Sequence, residues 1–299
     1  MIKYLALPAY LLLFITTIGN AQNTASVKSD LFDQTQLKLV SSQFSFTEGC
    51  SADKDGNVFF TDQPNDKLWK YSVDGKLTIV LDKTGRSNGT YFDKKGNLIL
   101  CADEKGEFWQ LDKKGNTKII AKDFNGKQLN GPNDLWLDPA GNIYFTDPYY
   151  QRDYWTRTKP DQSAQSVYKI PKGTSQIILA ADSLNQPNGI VGSPDGKLLY
   201  VADAGAGKIY RYDISKKGVL SNKKLLINRG SDGMALDNMG NIYLTGNGIT
   251  IYNPMGQEIG QIKIPGTSNV CFGGKDKNTL FVTARKSIYT IPMNAKGVE

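Results

Sequence analysis

A module repeated along the chain restricts the possible folds more than any other feature of the sequence. Each copy has a polar turn, in most copies containing Gly, followed by a short run rich in Val, Ile, Tyr and Phe. The turn residues of the six copies lie 38 to 55 residues apart and are Gly56, Gly96, Gly141, Gly196, Gly240 and Asn278. Periods of about 40 to 50 residues with several strands in each unit are typical of β-propeller blades.

The repeat predicts an all-β fold, a six-bladed β-propeller with four-stranded antiparallel blades and a central metal site. The runs rich in β-branched and aromatic residues fit half-buried strands, and no stretch has sustained helical periodicity. The segment at 37–46 precedes the first copy, so we expect it to supply the outer strand of the last blade and close the ring. The propeller is expected to span 37–299, after an N-terminal extension at 22–36.

The first residues have the features of a secretory signal peptide. Lys3 precedes an apolar run, and Gly19, Asn20 and Ala21 form the small-x-small pattern at which signal peptidase cleaves. We therefore predict a leader at 1–21 and a periplasmic or secreted protein. A membrane anchor is disfavoured because the apolar run is shorter than the ~20 residues that span a bilayer.

The composition excludes several kinds of chemistry. Histidine is absent, which rules out Ser-His-Asp and Cys-His catalysis and histidine-ligated zinc or iron. The three cysteines, Cys50, Cys101 and Cys271, form no C-x-x-C pair, so we expect buried structural thiols. The lysines behind the formal charge of +7 are spread near turns, which argues against a nucleic-acid partner.

Polar residues recur at one offset in the repeat. Eight positions before the turn residue lie Glu48, Asn88, Asn133, Asn188, Asp232 and, in the last copy, Val270. Equivalent positions of successive blades lie at the same height, so the first five predict a ring of oxygens around the channel. Such a ring suits a divalent cation, with Ca²⁺ favoured and Mg²⁺, Mn²⁺ or Zn²⁺ as alternatives. The competing interpretation is that the Asn-Gly and Asp-Gly pairs only satisfy turns.

A second set of carboxylates ends the second strand of four copies, at Asp62, Asp103, Asp147 and Asp203. Most of them are expected to cap loops through main-chain N–H groups, and Asp147 is the best candidate for a substrate contact. The insertion at 148–166, with Tyr149, Tyr150, Tyr154, Trp155, Arg152 and Arg157, follows Asp147. It is expected either to cover the ring as a lid or to pack as an ordinary surface loop.

From about 40 to 293 the sequence resembles the gluconolactonase/regucalcin family of metal-dependent lactonases, also called the senescence-marker-protein family. The resemblance rests on the segments FTEGCSADKDGNVFFTD, GPNDLWLDPAGNIYFTDPYY, QPNGIVGSPDGKLLYVADAG, SDGMALDNMGNIY and NVCFGGKDKNTLFVTA. The resemblance implies three metal ligands, Glu48, Asn188 and Asp232. It also implies that Asn133 contacts substrate and joins the metal shell, and that Asp232 is the catalytic acid/base. Gly131 departs from the pattern, since some members carry arginine there, and Cys50 replaces a common proline.

These features predict a metal-dependent hydrolase that opens a small lactone, such as gluconolactone, to its hydroxy acid. The metal is expected to polarise the carbonyl while Asp232 removes a proton from the attacking water. Two alternatives stay open, a non-catalytic metal-stabilised propeller acting as a binding module and a phosphotriester or aryl-ester hydrolase on the same scaffold. The expected partner is a small-molecule lactone, with no nucleic acid and no membrane.

Overall fold

The repeats fold into six four-stranded antiparallel sheets in the computed structural model, which describes residues 30–298. The strands of blades 1 to 3 are Thr47–Ala52, Val58–Asp62, Lys67–Tyr71 and Leu77–Asp82; Ser87–Phe92, Leu98–Ala102, Glu107–Leu111 and Thr117–Ala121; and Leu135–Leu137, Ile143–Asp147, Ser166–Ile170 and Ile178–Ala181. Those of blades 4 to 6 are Pro187–Gly192, Leu198–Asp203, Lys208–Ile214 and Leu220–Ile227; Met234–Leu236, Ile242–Leu244, Ile249–Tyr252 and Glu258–Ile262; and Asn269–Gly273, Thr279–Ala284 and Ser287–Pro292, completed by Lys38–Ser41.

The ring closes as the sequence predicted. Lys38–Ser41 pairs antiparallel with Ser287–Pro292 and forms the outer strand of the last blade. The innermost strand of each blade contacts those of its two neighbours, including a contact between the first strand of blade 1 and that of blade 6. This arrangement confirms the predicted six-bladed propeller of four-stranded blades. The predicted leader at 1–21 lies outside the described residues.

Short elements connect the blades. A two-stranded hairpin, Asp123–Phe124 with Lys127–Gln128, precedes blade 3. Three 3-10 helices lie at Gln34–Gln36, Gln63–Asn65 and Ala204–Ala206. No helix formed by residues 30–298 is long and apolar enough to cross a membrane.

The turn of each repeat is stabilised by its own aspartate. In blade 2, Asp93 Oδ1 accepts hydrogen bonds from the main-chain N–H groups of Lys95 and Asn97, each at 2.8 Å, and Oδ2 accepts from the Asn97 amide at 2.8 Å. Gly96 follows at a φ of +79°, in the left-handed region that disfavours side chains. The recurrent Asp-x-x-Gly-Asn pattern therefore closes the hairpin between the first and second strands.

Aromatic side chains pack neighbouring sheets against each other. Phe108 of blade 2 and Phe145 of blade 3 have ring centroids 4.4 Å apart, and Phe60 of blade 1 lies 5.5 Å from Phe281 of blade 6. Each of these rings is almost completely buried, so the contacts remove apolar surface from water at these two blade interfaces. All three cysteines are buried, as predicted for structural thiols, and within residues 30–298 none of them is in a disulfide bond.

Blade 6 departs from the sequence alignment, because Val270 is not the residue at the sixth ring position. The Gly233 N–H donates to the carbonyl of Ser268 at 2.8 Å, just as Gly89 N–H donates to that of Asn133 at 2.7 Å. The hairpin of blade 6 is two residues longer: Asn269 N–H donates to Thr283 Oγ1, 14 residues along the chain, whereas the equivalent Gly233 N–H of blade 5 donates to Thr245 Oγ1, 12 residues along. An offset of eight from the turn therefore lands two residues too late, and Ser268 holds the position.

Candidate active site

Glycines bring the ring residues of successive blades together. A Cβ at Gly49 would overlap the main-chain carbonyl of Asn88, and a Cβ at Gly189 would overlap that of Asp232. The innermost strands start so close to the axis that only a residue without a side chain fits behind these ring positions. Close packing between blades therefore requires glycine after Glu48 and after Asn188. This requirement disfavours the interpretation in which the glycines only form turns.

Three of the predicted metal ligands meet at this point. The Asn188 amide and the Glu48 carboxyl group lie close enough to the Asp232 carboxylate to stabilise its ionised form. Glu48 and Asn188 are buried, and Asp232 is partly exposed to the channel. The side chains at the start of blades 1, 4 and 5 therefore converge on one place, as the shared offset predicted.

The two carboxyl groups strongly affect each other's ionisation. Burial, and next the charge of Asp232, hold the pKa of Glu48 well above its usual range. Burial also raises the pKa of Asp232 to about 6, although the Asn188 amide and the charge of Arg152 oppose the shift. Two buried carboxylates in contact cannot both ionise cheaply unless a cation lies between them.

The oxygen donors of the ring fit a hard divalent cation. Asn88 Oδ1 is buried and has no hydrogen-bond partner among the residues that the structure describes. The amide of Asn133, which is also buried, makes no side-chain hydrogen bond with any residue of 30–298, so it is available to a ligand. Within that range no group of three or more His, Cys, Asp or Glu side chains is clustered closely enough to hold a metal. A cation here would need the amide oxygens as well as the carboxylates of Glu48 and Asp232.

Asp147, the residue predicted to contact substrate, is held within the scaffold. Its side chain is 0 % exposed, and its two oxygens accept from the main-chain N–H groups of Asn130 at 2.9 Å and Gly131 at 2.8 Å. Asp62 and Asp203 accept from the equivalent pairs of N–H groups in blades 1 and 4. The second-strand aspartate therefore holds the loop that leads into the ring.

The insertion at 148–166 lies against the ring. Tyr150 Oη accepts a hydrogen bond from the Asn188 amide at 3.1 Å. Arg157 donates to the carbonyls of Leu129 and Asn130, on the loop that enters blade 3. Of the two predicted arrangements, these contacts favour a cover over the ring.

Two parts of the site escaped the sequence analysis. Asn88 was placed in the ring but given no function, and its unpaired oxygen is visible only after folding. Asp103 lies 3.1 Å from Arg152 Nε, an ion pair that joins blade 2 to the insertion. The 49 residues between these partners leave no local signal for the pair.

A large cavity lies elsewhere, away from the ring. Its volume is about 950 Å³, and it opens on the turn face, between residues such as Asp93, Trp136, Asp138 and Ile143. The turn carboxylates in its wall are already bonded to their own turns. The volume of this cavity therefore does not identify it as the reactive site, because the carboxyl groups with raised pKa values, Glu48 and Asp232, lie in the ring.

Comparison with known proteins gives a consistent result. Residues 46–286 match the family described as "SMP-30/Gluconolactonase/LRE-like region". A gluconolactonase of Zymomonas mobilis is 28% identical over 94% of this chain and 88% of its own length. A regucalcin of Oryctolagus cuniculus is 23% identical over 77% of this chain and 80% of its own length.

A solved structure agrees with these relatives. The structure of a gluconolactonase from Xanthomonas campestris superposes with a TM-score of 0.80 at 27% identity, covering 86% of this chain and 89% of the other. These matches confirm the family resemblance expected from the sequence. Gluconolactonases hydrolyse a cyclic carboxylic ester.

Proposed function

Because the chain belongs to the SMP-30/gluconolactonase/LRE-like family, we propose that it is a hydrolase that opens a small lactone with the help of a divalent cation. The observation that carries the proposal is the convergence of Glu48, Asn188 and Asp232 at the channel axis, with two buried carboxyl groups sharing one site. The relatives named gluconolactonase support lactone hydrolysis, and the regucalcin relative supports a divalent cation.

Glu48, Asn188 and Asp232 would hold the cation, with Asn133 joining them. When bound, the cation would polarise the ester carbonyl and stabilise the negative charge that develops on its oxygen. Ca²⁺ is the ion we favour, since carboxylate and amide oxygens suit it and no sulfur or imidazole donor lies in the ring.

Asp232 is the residue we assign as general base. It takes a proton from the water that attacks the lactone carbonyl and returns it to the ring oxygen as the ester bond breaks. Its pKa of about 6 allows the ionised form at neutral pH. A base of this strength contributes roughly 10² to 10⁴-fold to a rate. Asn133 orients the substrate through an amide that has no other bond within residues 30–298.

Export of the protein is part of the same proposal. Lys3, the apolar run after it and the Gly19-Asn20-Ala21 pattern support a leader and a periplasmic or secreted location. Such a location would expose the enzyme to lactones outside the cytoplasm.

A proton-release assay tests the function. The purified protein is supplied with glucono-δ-lactone, other aldonolactones, an aryl ester and a phosphotriester, before and after treatment with a chelator. We expect lactone hydrolysis above the spontaneous rate, loss of activity on chelation and recovery with Ca²⁺. Activity that survives complete removal of metal contradicts the cation's role. Turnover of only the aryl ester or phosphotriester, or of nothing, contradicts lactone hydrolysis.

A further inference from the structure

Blade 2 uses its second-strand aspartate differently from blades 1, 3 and 4. The N–H groups of Thr84 and Arg86, on the loop that enters blade 2, donate to Asp66 of the preceding blade at 2.8 and 2.7 Å. Asp66 thus takes over the capping function that Asp147 has in blade 3. Asp103 is left without a main-chain N–H donor among residues 30–298, and its carboxylate is available to side chains.

The released carboxylate holds the insertion in place. Its Oδ2 accepts from Arg152 Nε at 3.1 Å, from the Gln63 amide at 3.2 Å and from the Tyr154 hydroxyl. Trp155 Nε1 donates to the main-chain carbonyl of Asp103 at 3.3 Å. Asp103 is buried, so each of these bonds is protected from water. Asp103 of blade 2 therefore anchors the middle of the insertion, through its carboxylate to Arg152 and Tyr154 and through its main-chain carbonyl to Trp155.

The anchoring fixes the direction of the Arg152 guanidinium. Nε is bonded to Asp103, and the guanidinium carbon lies 5.6 Å from the centre of the Tyr150 ring. Tyr150 Oη in turn accepts a hydrogen bond from the Asn188 amide of the ring at 3.1 Å, which places the guanidinium beside the ring. Its Nη1 and Nη2 atoms have no hydrogen-bond acceptor in the described chain. The side chain is 24% exposed, so these donors can be reached.

Resting on the proposed function, we infer that Arg152 is a specificity-determining residue that binds hydroxyl oxygens of a polyhydroxylated lactone, and that Asp103 is its positioning residue. A guanidinium is a planar fork, so fixing Nε leaves the outer N–H groups aimed at a pair of neighbouring oxygens. Vicinal hydroxyls of a sugar lactone provide such a pair, and an unsubstituted aliphatic lactone does not.

The charges around the site favour a neutral substrate. Arg152 is already paired with Asp103, and two ring carboxylates would balance one divalent cation. A lactone with an added carboxylate would bring an unpaired negative charge into this enclosure. Neutral hydroxyl groups satisfy the free donors without that penalty.

The test compares substrates that differ only in their hydroxyl groups. For the wild type and for Arg152→Met, Arg152→Lys, Asp103→Asn and Lys159→Met, kcat and KM are measured with glucono-δ-lactone and with δ-valerolactone. Binding of glucono-δ-lactam and δ-valerolactam, which resist hydrolysis, is measured by calorimetry. Lys159 is an exposed cation of the same insertion and serves as the matched control.

We expect Arg152→Met to lower the preference for the hydroxylated lactone, expressed as the ratio of the two kcat/KM values, by about 10 to 100-fold, as loss of a charged hydrogen bond implies. Arg152→Lys should lose most of this preference, since an ammonium group lacks the two parallel N–H donors of a guanidinium. Asp103→Asn should raise KM for glucono-δ-lactone about 3 to 10-fold with a smaller change in kcat, because the guanidinium is less firmly held. Lys159→Met should keep the wild-type ratio.

Equal preference in wild type and Arg152→Met overturns the inference, as does an Arg152→Lys variant that behaves like wild type. If no lactone is hydrolysed but the hydroxylated lactam binds and Arg152→Met weakens it, the proposed function fails and the assignment of Arg152 stands. A wild type that binds neither lactam and hydrolyses neither lactone overturns both. Thermal unfolding of every variant separates these results from loss of the fold.

Discussion

The aspartates of the turn face and Asp232 of the ring have opposite surroundings. On the turn face, Asp53, Asp93 and Asp237 each accept two main-chain N–H groups and the amide of an asparagine four residues later. On the ring face, Asp232 has one amide donor and a second carboxyl group as neighbours. The same side chain is saturated at one end of the strand and short of donors at the other.

The pKa values follow this difference. Asp112, in an exposed turn of the same type, has a pKa below its usual range because the side chain and the N–H of Asn116 stabilise the carboxylate. Burial raises the pKa of Asp232 to about 6 and that of Asp134 to about 7. An exposed turn therefore favours the ionised carboxylate, whereas burial near the ring favours the binding of a proton or a cation.

The largest expected effect comes from neutralising one aspartate on each face. Asp232→Asn should lower kcat for a lactone by about 10² to 10⁴-fold with the fold retained, because the amide cannot accept the proton of the attacking water. Asp93→Asn should keep kcat and lower stability by about 0.5 to 2 kcal/mol through its damaged turn. Steady-state kinetics and urea unfolding of both variants check the pair. Comparable turnover in Asp232→Asn and wild type eliminates Asp232 as the base.

The second prediction concerns the stability of metal-free protein as a function of pH. Burial raises the pKa of Asp147 to about 7 and that of Asp232 to about 6, from an ordinary value of 3.8. Between these limits the folded state holds protons that the unfolded state has lost, so stability falls as pH rises from about 4 to about 7. Asp112, with its lowered pKa, acts in the opposite sense at more acidic pH.

The decrease should amount to on the order of 2 to 4 kcal/mol, measured by urea unfolding in chelator at pH 5 and pH 7.5. Asp147→Asn should make the slope shallower, and its KM for lactone should match that of the wild type because the side chain has no access to substrate. A metal-free protein that gains stability over this range shows that the ring-face carboxylates are better solvated than their burial implies. A raised KM in Asp147→Asn restores the substrate contact expected from the sequence.

The ring could be predicted from sequence because its members share a position in a repeat. Glu48, Asn188 and Asp232 each begin an innermost strand, and closely similar hairpins keep their offset constant. The prediction failed in blade 6, where the hairpin between Asn269 and Thr283 is two residues longer than its equivalents in blades 3 and 5. The number of residues between the turn and the ring position depends on the length of the hairpin as well as on the strand register. Only the register determines how high a residue lies in the channel.

The Asp103 anchor could not be predicted in the same way. Its release from capping depends on Asp66, a residue of another blade, which reaches the N–H groups of Thr84 and Arg86. The partner that uses it, Arg152, lies in an insertion without a counterpart in the repeat. A repeat predicts what the blades have in common, and this contact exists only because one blade differs.

A smaller effect is expected from Glu48→Gln, which removes one of the two ring carboxyl groups. The glutamine amide can still donate to Asp232 and never ionises, so the metal-free variant should unfold about 2 to 4 °C above metal-free wild type at pH 8. Saturating Ca²⁺ should raise the unfolding temperature of wild type more than that of the variant. The measurement is thermal unfolding with and without Ca²⁺. Equal stabilisation of both proteins by Ca²⁺ places the ion away from Glu48.

The smallest expected effect is a change in ligand binding that distinguishes two polar ring residues, Asn88 and Ser268. Asn88 Oδ1 is buried without a partner, whereas the Ser268 hydroxyl donates to the carbonyl of Thr47 at 2.7 Å. Asn88→Ala should weaken Ca²⁺ or lactam binding by about 3 to 10-fold with little loss of stability, since no internal hydrogen bond is broken. Ser268→Ala should leave binding unchanged and lower stability by about 1 kcal/mol. Calorimetric titration and urea unfolding of the two variants check this, and the reverse outcome assigns the ligand oxygen to Ser268 and the structural one to Asn88.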